Sequence, residues 1–212
     1  MSHLLSEFPE KPFELPEGWE CIRLGLVTSV KGGKRLPAGH QFSAVATPHI
    51  YIRVTDMKGG SINNNDLAYI SSSTQKLISN YTISTDDLYV TIAGTIGNVG
   101  VVPARFDGMN LTENAAKIIL HGVNKLWLKN ALGSECSQSQ FNEKTNQLAQ
   151  PKLALHRIES CIILLPPLNE QSRIVAKVDE LMSVCDQLKA HLQTSQQTQL
   201  ALAEALVEGA LA

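Results

Sequence analysis

The sequence predicts an α+β protein: a mixed α/β globular head with a β-rich core over residues 1–168, then one long C-terminal α-helix over 169–208 that forms a coiled coil with a partner. Three observations predict it. Short runs of β-branched and aromatic residues alternate with Gly, Pro and Asn clusters from Trp19 to Leu165. Beyond Asn169 the apolar residues fall at alternating spacings of four and three, and no Pro or Gly interrupts them before Gly209. Apolar residues make up 43% of the 212, and charged residues only 18%, so the head has the material for a core and is not a disordered chain.

Residues 1–18 carry Pro9, Pro12 and Pro16 among several glutamates, which suits an extended lead-in. Trp19 to Val30 is an apolar segment read as a strand, and Lys31-Gly32-Gly33-Lys34 opens a loop that Pro37, Gly39 and Pro48 prolong. Ile50 to Val54 has strand composition. Lys58-Gly59-Gly60 and Asn63-Asn64-Asn65-Asp66 are turn chemistry, with a brief strand over Leu67 to Ile70 after them. Ser71 or Ser72 caps a short helix reaching Ile78. Asp87 to Ala93 and Gly97 to Pro103 form a hairpin around Gly94-Thr95-Ile96-Gly97. Ala115 to Leu120 is a strand, Asn124 to Ala131 and Gln138 to Gln147 are weakly helical, and Ile158 to Leu165 is a last core strand ended by Pro166-Pro167. Asn169 is the expected N-cap of the long helix, with Glu170 in its first turn, where the helix dipole favours an acid.

The coiled-coil seam is Ile174, Val178, Leu181, Cys185, Leu188 and Leu192, passing through polar Ser195 and Gln199 to Leu202 and Leu206. A helix buried in its own core is the plain alternative, but the narrow stripe favours a paired helix. Something else must cover that stripe.

Chemistry is sparse. The six histidines occur singly, no HExxH or CxxC spacing exists, and no catalytic residue, metal site or cofactor is assigned. Cys21, Cys136, Cys161 and Cys185 are scattered and read as buried free thiols, which with the absence of a signal pattern suggests a cytoplasmic protein. Asp86-Asp87 reads as a surface turn. Gly94, Gly97 and Gly100 resemble a phosphate loop only in their glycines; the Gly-Lys-Ser/Thr of a Walker loop is missing, and the valines that follow favour a strand. No apolar run is long enough to span a membrane. The net charge is −2, yet basic residues concentrate over 31–58 and 114–158 while acids gather at the N-terminus and on the final helix, which allows a positive face.

Several motifs together resemble a known family. Leu15-Pro16-Glu17-Gly18-Trp19, Ile52-Arg53-Val54-Thr55-Asp56 and Gly94-Thr95-Ile96-Gly97-Asn98-Val99-Gly100 are similar to the opening, early-strand and glycine motifs of target-recognition domains in specificity subunits of type I restriction–modification systems. Leu164-Leu165-Pro166-Pro167-Leu168-Asn169-Glu170-Gln171, Arg173-Ile174-Val175, Val178-Asp179-Glu180-Leu181 and the ending Leu202-Ala203-Glu204-Ala205-Leu206 resemble the spacer helix and its junction with the domain. The resemblance implies a non-catalytic, sequence-specific DNA-binding subunit that docks methyltransferase subunits and, for cleavage, motor-nuclease subunits. One recognition domain and one helix in place of two of each make the chain a half-length form or a fragment of a full subunit. On the family's pattern two half-length copies would pair through their helices in an antiparallel coiled coil and read a bipartite palindrome in double-stranded DNA.

On that reading two polar clusters meet DNA: Lys31, Lys34, Arg35, Arg53, Lys58, Asn63, Asn64 and Asn65, and then Asn146, Gln147, Gln150 and Lys152. Arg suits guanine, Asn and Gln suit adenine, and Lys suits phosphate. Each Asn is equally at home forming a turn, and each Lys in solvent. Two readings from other classes remain open: a coiled-coil adaptor whose head binds protein, and a nucleotide-binding enzyme using the glycine motif.

Overall fold

The computed structural model describes residues 14–143 and 152–211 and divides into two compact units, Met1–Leu168 and Asn169–Ala212. The strands are β1 (Glu20–Arg23), β2 (Thr28–Gly32), β3 (Ile50–Ile52), β4 (Met57–Lys58), β5 (Ser61–Ile62), β6 (Ala68–Tyr69), β7 (Leu88–Thr91), β8 (Val99–Val101), β9 (Asn110–Leu111), β10 (Ala115–Leu120) and β11 (Ile162–Leu165). The helices are α1 (Ser72–Leu77), α2 (Lys125–Gly133), α3 (Glu135–Glu143), α4 (Leu155–Glu159) and α5 (Leu168–Leu211). This is the α+β head and single long helix that the sequence predicts.

The largest sheet runs β2-β10-β7-β8, all antiparallel, with β10 at its centre because Ala115, Ala116 and Ile118 are buried. A second sheet, β6-β3-β9, contains a parallel pair, Tyr51 opposite Asn110 and Ile52 opposite Leu111. Its central strand β3 obeys the two-residue period of a strand. Ile50 and Ile52 point into the main core with Met57, Ile62, Tyr89, Phe106 and Leu111, while Tyr51 points the other way to Ile70 and Ile78. β4 and β5 make a two-residue hairpin, and β1 pairs with β11 over four residues from Glu20↔Leu165 to Arg23↔Ile162.

The predicted Ser71 cap holds, with its side chain accepting from the Thr74 amide at 3.2 Å. The structure adds a second cap, Asn124 at the start of α2, which accepts from the Leu126 and Trp127 amides, each at 3.0 Å. α5 begins at Leu168, so Asn169 lies inside its first turn and is not the cap; Glu170 stays in that turn.

Other expectations are corrected. Trp19 to Val30 is two strands, because a 3-10 turn over Leu24–Leu26 breaks it where Gly25 passes beneath Glu159. Ile158 to Leu165 is likewise divided: Ile158 is buried on α4, and the strand starts only at Ile162. Periodicity cannot separate a short buried helix from a strand in one apolar run. Cys21 and Cys161 are buried, but Cys136 and Cys185 are exposed because their helical positions face away from a core. Asp87 is no surface residue: it is buried, accepts from the Ser84 amide at 2.9 Å, and faces Lys117 Nζ at 3.6 Å. Only Asp86 is exposed. No helix among the described residues is long and apolar enough to cross a membrane.

α5, taken by itself, has 44 residues and so runs about 66 Å at 1.5 Å per residue. Ile174 and Val178 are half-buried, while Leu181, Cys185, Leu188, Leu192, Leu202 and Leu206 are exposed, as are Met182, Val184 and Leu200 beside them.

Candidate nucleic-acid interface

The long loop between β2 and β3 is fixed at its start by a close crossing. Gly33 donates to the Ala115 carbonyl at 3.0 Å and Lys34 to the Leu111 carbonyl at 2.9 Å, and a Cβ on Gly33 would stand 2.2 Å from the Thr112 carbonyl oxygen. Only glycine permits that approach, and it brings Lys34 and Arg35 beside the Thr112-Glu113-Asn114 loop that joins β9 to β10. There Arg35 Nε donates to Glu113 Oε1 at 2.9 Å. The Tyr51 hydroxyl donates to the Lys34 carbonyl at 2.8 Å and lies 3.3 Å from Glu113 Oε2, which also accepts from Thr112 Oγ1 at 3.1 Å. Lys34 Nζ sits 5.5 Å from the centre of the Tyr81 ring, within cation–π range.

These groups line a cavity of about 450 Å³ bounded by Arg35, Leu36, Phe42, Tyr51, Arg53 and Glu113. Phe42 packs on Tyr51 with ring centres 5.5 Å apart. Burial pushes the Glu113 carboxyl up, but hydrogen bonds from Arg35, from its own backbone and from Thr112 outweigh this and hold it below the usual carboxylate range. Burial, opposed by Thr112 and reinforced by the Glu113 charge, pushes the Tyr51 hydroxyl up to about 12.

From the second polar cluster, Lys152 arrives at the same loop. Its bridge to Ala93 places Nζ 3.1 Å from the Glu113 carbonyl. Asn146, Gln147 and Gln150 lie outside the described residues. Of the first cluster, Lys31 is exposed on β2 opposite Lys117, Lys58 is exposed at the β4–β5 turn, and Asn64 and Asn65 are exposed in their loop.

Arg53 is largely committed within the fold. Its Nη2 donates to Asp56 Oδ1 at 2.9 Å and also to the Asp66 carbonyl, and its Nε donates to Asp56 Oδ2 at 3.2 Å. Hydrogen bonding to Asp56 raises the guanidinium above its ordinary pKa. Asp56 is buried, and its carbonyl accepts from the Asn63 amide at 2.7 Å, so Asn63 also serves a turn. The charge spacing in Ile52-Arg53-Val54-Thr55-Asp56 is therefore that of a one-turn ion pair.

The glycine motif is used up by packing. The amides of Ile96, Gly97 and Asn98 donate to the Gly94 carbonyl, the Thr91 carbonyl and Thr91 Oγ1. Gly97 has φ +85°, and its carbonyl accepts from Gln138 Nε2 at 2.8 Å. A Cβ on Gly100 would stand 2.4 Å from the Tyr89 ring. Amides bonded inward cannot cradle a phosphate, which removes the ground for a nucleotide-binding reading.

Sequence reading missed Glu113, an isolated acid between Thr112 and Asn114. The available signal was a short polar turn immediately before the longest strand of the head.

The chain resembles known proteins over most of its length. The family model described as type I restriction modification DNA specificity domain matches residues 16–195. The EcoAI specificity subunit of Escherichia coli is 29% identical over 95% of this chain and 35% of that protein, and the EcoEI specificity subunit of Escherichia coli is 26% identical over the same shares. The chain thus spans about a third of the length of these curated relatives. Among solved structures, the HsdS subunit from Thermoanaerobacter tengcongensis superposes with a TM-score of 0.62 at 21% identity, covering 86% of this chain and 42% of that one. A chain from a study of complex assembly and conformational transition of the type I R-M system reaches 0.68 at 19% identity, covering 86% and 43%. At such identities the likeness in structure shows the fold; the family match, across more than half of the sequence, shows membership: this chain belongs to the type I restriction modification DNA specificity domain family.

Proposed function

We propose that the protein is the non-catalytic, sequence-reading subunit of a cytoplasmic type I restriction–modification system, in which two copies pair through α5 and present two heads to a bipartite DNA target. The exposed apolar stripe from Leu181 to Leu206 carries this reading. Leu181, Leu188, Leu192, Leu202 and Leu206 are each more than half exposed, a state that the hydrophobic effect opposes unless another helix covers them. Antiparallel pairing of two identical helices has twofold symmetry, so the two half-sites would be palindromic and their spacing set by the helices.

In each head, exposed Lys31, Lys34, Lys58 and Lys152 would contact phosphates and set register, while Arg35 and the Asn64-Asn65 loop reach toward base edges. Arg53 and Asn63 hold that loop's base. Methylation and cleavage would belong to methyltransferase and motor-nuclease partners. Because the chain as a whole carries a charge of −2, binding to DNA is expected to be weak alone and tight with the methyltransferase.

Two measurements decide between this and a protein-binding adaptor. Sedimentation at micromolar concentration should give a dimer, and a folded monomer refutes the pairing. Filter binding to duplex DNA across a salt series should fall steeply with salt; a flat response favours the adaptor.

A further inference from the structure

Glu113 is out of place on a surface meant for a polyanion. It is ionised at neutral pH, lines the cavity of the proposed interface, and repels phosphate. The fold nevertheless fixes it there with Arg35, Thr112 and a close-crossing glycine. Such a carboxylate can be useful against DNA by accepting from an exocyclic amino group in the major groove.

Building on the DNA-reading function above, we infer that Arg35 and Glu113 together read one C·G base pair, Glu113 accepting from cytosine N4 and Arg35 donating to guanine O6 and N7. The match lies in the order of donor and acceptor. Arg35 Nε spends its single hydrogen on Glu113 Oε1 at 2.9 Å, which holds the Nη donors beside the remaining lone pairs of the carboxylate. Cytosine N4 and guanine O6, hydrogen-bonded to each other within the pair, present an acceptor beside a donor about 2.9 Å apart. The two edges are complementary when placed side by side.

An A·T pair also offers an amino group beside a carbonyl, but its flanks do not fit. Adenine N7 would turn a lone pair toward the carboxylate, and the thymine methyl would meet the guanidinium where guanine offers N7. Arg35 is able to reach: its side chain is 80% exposed, and its Nη groups have no partner among the described residues. Because its charge is already matched by Glu113, it is a poor phosphate clamp and a better base reader. Phe42, Leu36 and Val54 give the cavity apolar walls that limit competition from water.

The test is selection of duplexes from a library of randomised double-stranded DNA by the full chain at micromolar concentration and low salt. The wild-type protein should enrich a motif containing C·G at the position read by this pair. Glu113→Gln should weaken the preference for C·G at that position, admitting A·T there, and leave the others unchanged, because Gln also pairs with adenine N6 and N7. Arg35→Ala, a change at an exposed side chain that leaves the fold intact, should reduce the preference at the same position by tenfold or more. If both variants, verified as folded by thermal melting, enrich the wild-type motif, or weaken binding to every sequence equally, the pair does not read a base. If Glu113→Gln does not fold, Arg35→Ala alone decides by the same criterion. A wild-type chain that enriches no sequence overturns the DNA-reading function itself, and the inference with it.

Discussion

Replacing Gly33 with alanine is the sharpest test of how the loop between β2 and β3 is held. The added methyl group would stand 2.2 Å from the Thr112 carbonyl oxygen and 2.3 Å from that of Leu111, both backbone atoms that cannot swing aside. The strand must therefore lift, straining or breaking the hydrogen bonds from Gly33 to Ala115 and from Lys34 to Leu111. Overpacking costs about 1–3 kcal/mol and two weakened backbone hydrogen bonds about 1 kcal/mol each, so a loss of about 3–5 kcal/mol is expected. Gly32→Ala is the internal control: its new methyl would meet only Leu155 Cδ1, at an ordinary 3.6 Å, and should change stability by less than about 0.5 kcal/mol. Urea unfolding followed by the fluorescence of buried Trp127 reports on the head. The midpoint should fall for Gly33→Ala and stay put for Gly32→Ala, with slopes unchanged. Equal midpoints would show that the crossing is not the constraint on this loop.

Arg53→Ala should lower stability by about 2 kcal/mol, a melting shift of roughly 6 °C, since it strips the partner from the buried Asp56 carboxylate; a change confined to DNA preference would instead make Arg53 a reader. The Tyr51 hydroxyl, pushed up to about 12, stays protonated in the folded state while an unfolded tyrosine ionises near 10, so stability is complete below pH 10 and declines as pH rises through 12. Tyr51→Phe should lose about 1 kcal/mol at neutral pH but decline less steeply above pH 10, the wild-type slope from this group being at most about 1.4 kcal/mol per pH unit. Leu188→Glu on the exposed stripe should convert a sedimenting dimer to monomer without changing the melting of the head, and an unaltered dimer would place the pairing surface elsewhere.

Much of the architecture is legible because it is locally encoded. The β7–β8 hairpin, the bounds of β10, the Ser71 cap of α1 and the uninterrupted α5 all follow from residues within one turn or strand of each other. What escaped reading depends on distant partners. Asp87 is buried by virtue of Lys117, thirty residues on, and the parallel pairing of β3 with β9 joins Tyr51 to Asn110, far apart in sequence. α4 has Ala154 at its cap, which offers no side-chain signal, so the apolar run beginning at Ile158 passes for strand. The site shows the same division. Lysines and asparagines stand out in composition, whereas Glu113 becomes interesting only when folding brings Arg35 and Lys152 to it from opposite directions in sequence.

The four-residue ladder between β1 and β11 makes the head a closed circuit hung from a single zipper. A chain that enters and leaves through neighbouring strands can have its whole interior exchanged for another of similar span without disturbing the stem that leads into α5. Variation in the loops around Arg35 and Glu113 then need not touch β1 or β11, so under the proposed function a new preference could be installed like a cartridge while the helix stays as it was.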